Sequence, residues 1–75
     1  MGMTALHNIF ERVENYSDEG HEIASIIHEA YEDVLRGNIQ SLATLRNFRY
    51  TGSDTKLNEM VHELVIQASS VGASQ

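Results

Sequence analysis

Residues 17–38 read SDEGHEIASIIHEAYEDVLRGN, the longest segment of the chain with one unbroken periodicity. Ile26, Ile27, Ala30, Tyr31, Val34 and Leu35 follow Ile23 at offsets of 3, 4, 7, 8, 11 and 12. Recurrence at three and four residues is the period of a helix with one buried stripe. The ends carry matching signals. Ser17 or Asp18 is suited to cap the N-terminus, and Asp18 and Glu19 favour the positive end of the helix dipole. Gly37 suits the left-handed position just past the C-terminus, and Arg36 offsets the negative end.

Working back toward the N-terminus, Leu6, Ile9, Phe10, Val13 and Tyr16 mark a helical face over Thr4 to Tyr16, with Thr4 as its cap. Glu11, Arg12, Glu14 and Asn15 take the wet side. Residues 15–20, NYSDEG, read as a break. Gly20 weakens a helix locally by about 1 kcal/mol relative to Ala. The alternative is one long kinked helix from Thr4 to Arg36. The two apolar stripes do not align smoothly across Gly20, so a break is expected.

Beyond Gly37, Asn38 is placed to cap a third segment, Ile39 to Phe48. Its Ile39, Leu42, Leu45 and Phe48 are spaced by three, which drifts around an α-helix, so a short and less regular helix is expected. The turn RYTGSD follows at 49–54, with Ser53 or Asp54 as the next cap. The last helix, Thr55 to Ala68, carries Leu57, Met60, Val61, Leu64, Val65 and Ala68 on one stripe. Residues 1–3 and 69–75 are expected to fray. The fold class is therefore all-α: a small bundle of three to four short helices forming one domain over residues 1–75.

A chain of 75 residues with no cysteine and no proline has a modest core and neither disulfides nor thiolate metal sites to reinforce it. Oligomerisation is the remaining reinforcement, and a homo-oligomer, at least a dimer, is expected. Ile26 at the margin of its stripe and Ile66 off its stripe are the candidates to face a second copy. No apolar run is long enough to span a membrane. No signal peptide is expected, and a cytoplasmic location follows as an expectation.

The net charge of −6 is unevenly spread. Residues 1–35 hold eight acidic side chains and one basic one, Arg12. Residues 36–56 hold Arg36, Arg46, Arg49 and Lys56 against Asp54 alone. Such a field repels nucleic acid over most of the surface and attracts a basic partner to the N-terminal half. The last helix carries Lys56 as its one base beside Glu59 and Glu63, which argues against a DNA-reading helix-turn-helix.

Four histidines, His7, His21, His28 and His62, invite a metal reading. His21 and His28 are seven residues apart, about 10 Å along a helix, too far for one ion. Three of them precede a glutamate, but helix neighbours point about 100° apart. His28 and Glu32 have a usable spacing, yet solvated histidines remain the preferred reading, and neither metal nor cofactor is expected. Glu29, Glu32 and Asp33 resemble an acid–base cluster in composition only, because carboxylate catalysis needs a walled pocket that a small bundle hardly supplies.

Two binding surfaces are therefore expected. The first is the acidic face of Glu22, Glu29, Glu32 and Asp33, offered to a basic partner protein. The second, an alternative, is the stretch RNFRYTGS at 46–53. There Arg46, Arg49, Tyr50 and Ser53 combine guanidiniums, a ring and a helix start, parts that suit a phosphorylated small molecule such as a nucleotide. Pairing of Arg46 and Arg49 with acids on the second helix is the bland counterpart. The functional expectation is a non-enzymatic, acidic interaction protein that inhibits or modulates a partner, of a kind frequent among phage and mobile-element inhibitors and bacterial regulators. A nucleotide binder and a purely structural oligomerisation module are the runners-up.

Overall fold

One residue, Ser17, separates the first two helices, α1 (Gly2–Tyr16) and α2 (Asp18–Leu35), in the computed structural model. The structure describes residues 2–70, with side chains from Leu6 onward; Met1 and residues 71–75, and with them most of the expected fraying, lie outside the described residues. Ser17 is fully extended at φ −166° and ψ 171°, and its Oγ accepts the Gly20 N–H at 3.1 Å. The break therefore falls at Ser17, with Asp18 and Glu19 in the first turn of α2. The two helices run antiparallel: Glu14 meets His21, while Phe10 meets His28 and Tyr31.

Gly20 lies inside α2 and is buried, not in the break. A Cβ there would overlap the carbonyl oxygen of Val13 and touch Leu57. The glycine is thus required by the close approach of α1 and α2, which outweighs its weak helix propensity. At the other end of α2, Gly37 adopts φ 103°. Its N–H donates to the Val34 carbonyl at 3.0 Å and that of Asn38 to the Asp33 carbonyl at 2.9 Å, a complete Schellman closure.

Two expected caps are corrected. The backbone of α1 is already helical from Gly2, so Thr4 lies within the first turns. Asn38 does not cap α3 (Gln40–Asn47) through its side chain: Ile39 holds the cap position with no side-chain hydrogen bond, and the Asn38 carbonyl accepts from Ser41 N–H instead. The drift expected from spacing by three is visible in α3. Each step rotates the side chain by about 60°, so the four positions cannot share one face. Leu45 is 1% exposed and Ile39 67%.

Asp54 caps α4 (Thr55–Ser69), accepting the Leu57 N–H at 3.2 Å. Helix α4 packs on α1 and α2, and α3 bridges α2 and α4. The largest fully buried side chains, Val13, Ile27, Leu45, Leu57, Val61 and Leu64, come from all four helices and belong to a single core. No polar or charged residue is buried with them among the described residues. The all-helical body measures 34 × 25 × 16 Å. Among the described residues no helix is long and apolar enough to cross a membrane.

Substituting Gly20→Ala tests the close approach. Propensity alone would stabilise α2 by about 1 kcal/mol, whereas overpacking costs about 1–3 kcal/mol. A net loss of stability is expected in denaturant titration. Ser25→Ala, exposed on the same helix, should be neutral or slightly stabilising.

Candidate functional site

The antiparallel register of α1 and α2 leaves a groove between them, with a volume of about 660 Å³. Its described lining residues fall within 6–14 of α1 and 24–35 of α2, with none from α3 or α4 among them. Its floor is apolar: Leu6, Ala24 and Tyr31 are buried and Phe10 is half-buried. Phe10 stands edge-on to His28, with centroids 5.4 Å apart at 81°, and tilts against Tyr31 at 6.1 Å. Leu35 (55% exposed) and Ile26 (52%) also line it and keep much of their surface in water.

The rest of the lining is acidic. Glu11 and Glu14 arrive from α1, and Glu29 and Glu32 from α2. Among the described lining residues none is a lysine or arginine, and Arg36 approaches from outside the lining to 3.6 Å from Glu32. Imidazoles stand beside three of these carboxylates: His7 Nε2 is 3.7 Å from Glu11, His21 Nδ1 3.7 Å from Glu14, and His28 Nε2 3.5 Å from Glu32. All six side chains are well exposed, so these pairs contribute little to stability even when the imidazoles are protonated. No group of three or more metal-ligating side chains converges among the described residues.

The expected acidic face therefore divides. Glu29 and Glu32 line the groove, while Glu22 is exposed outside it. Asp33 is turned to structural contacts: it lies 3.5 Å from Arg36 Nη1 and accepts from Ser41 Oγ at 3.5 Å, tying the end of α2 to α3. Arg36 also reaches Glu32 at 3.6 Å. Glu11 and Glu14 were missing from the expected site. They read as the wet side of an isolated helix, and only the α1–α2 register shows that they share a groove with Glu29 and Glu32.

The basic stretch is held by local backbone contacts. Arg49 Nη1 donates to the Arg46 carbonyl at 3.1 Å and the Phe48 carbonyl at 2.9 Å, closing the end of α3 rather than pairing with acids of α2. Arg46 and Ser53 are exposed. Tyr50 is half-buried and its ring covers Gly52. Burial pushes its phenol pKa up, and a hydrogen bond to Glu19 and the nearby Asp54 charge push it the same way. Carboxylates beside Tyr50 oppose an incoming phosphate.

Asp54 has a second partner. Tyr16 Oη donates to its Oδ2 at 2.9 Å and its Oδ1 at 3.1 Å, so one carboxylate caps α4 and holds the end of α1. The Leu57 N–H and then the Tyr16 hydroxyl hold the Asp54 carboxyl below its ordinary 3.8, while Asp54 raises the Tyr16 phenol above 10.0. A depressed carboxyl pKa adds stability above pH 3.8 that is lost as pH falls through the folded value. A raised phenol pKa adds stability below pH 10.0 that is lost as pH rises through the folded value. Thermal melts should therefore show Tyr16→Phe flattening the alkaline loss. Asp54→Asn, which retains a capping oxygen, should flatten the acid loss.

Neither a protein-family model, nor a curated protein, nor a solved structure matches this chain.

Proposed function

We propose that this chain is a non-enzymatic interaction protein that binds a basic surface of a partner protein and inhibits or modulates it. The observation that carries the reading is the convergence of Glu11, Glu14, Glu29 and Glu32, from two helices, on one groove with no lysine or arginine among its described lining residues. Focused negative potential speeds encounter with a cationic surface and selects against acidic ones. Where the partner uses that surface to hold nucleic acid, the carboxylates compete with phosphate, and inhibition follows. The open groove supports binding rather than turnover, because it does not wall off a carboxylate pair. A cytoplasmic setting is part of the same reading, and the cysteine-free sequence is compatible with it.

A labelled oligo-arginine peptide tests the electrostatic core of this reading. Fluorescence anisotropy should show binding at about 50 mM salt that weakens by about tenfold or more at about 500 mM. The double substitution Glu29→Lys/Glu32→Lys should weaken binding further at low salt. Absence of binding at low salt, or indifference to charge reversal, would contradict the proposal.

Self-association is a second reading, favoured by Ile66, which is 52% exposed on α4 outside the groove. Ile26, the other residue expected at a contact between copies, lines the groove instead. Light scattering at micromolar concentration should give a mass above that of one chain, returning to one chain with Ile66→Lys. A single-chain mass for the unsubstituted protein would remove this reading.

A further inference from the structure

We infer that the α1–α2 groove receives an amphipathic basic helix of the partner protein, its apolar anchors against Phe10, Ile26 and Leu35 and its cationic flanks along the two acidic rims. This deepens the proposed function and rests on it: the reading above needs only positive charge, whereas a helix in the groove also needs a spaced apolar face.

Leu35 at the end of α2 and Ile26 each leave over half their surface exposed in the groove, and Phe10 is half-buried there. From Ala24 to Leu35 the α2 wall runs about 16 Å, or about three helical turns. A partner helix laid along that wall would present anchors near positions i, i+4 and i+7.

Charge selects among possible occupants. A second copy docking groove to groove would set four glutamates against four, on chains that each carry −6. A nucleic acid or free phosphate meets the same repulsion. A helix with Lys or Arg flanking its apolar stripe satisfies both features at once. Its cations can also displace the histidines beside Glu11, Glu14 and Glu32, and Arg36 beside Glu32, at little cost, since those exposed pairs are weak.

The test titrates two synthetic peptides of about 14 residues into the isotope-labelled full chain, read by anisotropy and amide NMR shifts. Both have the same Leu, Lys, Arg and Ala content; one places Leu at i, i+4 and i+7, and the other scatters it around the helix. The amphipathic peptide should bind about tenfold tighter or more, shifting amides of residues 6–14 and 24–35. Leu35→Gln should weaken it about tenfold and leave the scattered peptide unchanged. Ile26→Gln is a second variant on the same lining, and the helical circular dichroism of both variants should match that of the parent. Equal affinities for the two peptides, shifts confined to α3 and α4, or indifference to both substitutions would overturn the groove inference while electrostatic binding stands. Failure of both peptides to bind at about 50 mM salt would overturn both.

Discussion

The approach of α1 to α2 at Gly20 and Val13 is the constraint on which the rest of this structure depends. A single extended residue, Ser17, reverses the chain, and the missing side chain at Gly20 lets the α2 backbone settle against the Val13 carbonyl. That contact fixes the antiparallel register. Glu14 then stands opposite His21, and Phe10 opposite His28 and Tyr31. The same register aligns the carboxylates of two helices around one apolar floor. The other sides of α1 and α2 carry the core, closed by α4 and bridged by α3.

A small bundle has little stability to spare, and the division of labour here reflects that. The core holds no buried polar or charged residue among those described, so apolar burial is not set against unpaired charge. Charges stay at the surface, where desolvation is small and ion pairs add little. Such pairs are easily exchanged for a partner's cations. Asp54 is an exception in role: its carboxylate caps α4 and binds Tyr16, joining two helix ends through one side chain.

The sequence made the helices legible where it repeated a helical period over several turns. The stripes of α2 and α4 and the Gly37 closure were readable from spacing and cap chemistry, and each of the two caps was narrowed to a pair, Ser17 or Asp18 and Ser53 or Asp54, from which the structure selects Ser17 and Asp54. The segment around α3 was less so, since spacing by three cannot say which of Ile39, Leu42, Leu45 and Phe48 turns inward; packing selects Leu45. Gly20 was misread because a glycine signals a break and a close contact with the same letter. For the candidate site, Glu29 and Glu32 were visible on one helix. Glu11 and Glu14 were not, since their relation to α2 depends on a register set in three dimensions. The Arg46–Ser53 stretch had the composition of an anion site, but composition could not show that Arg49 closes the end of α3 or that the Tyr50 ring covers Gly52.

The most direct test of the account is amide hydrogen exchange on the complex between this chain and the partner it captures in its native host. The account predicts that binding slows exchange within residues 6–14 and 24–35 and leaves 40–69 largely unchanged. Slowed exchange confined to α3 and α4, with the α1–α2 groove unaffected, would contradict it.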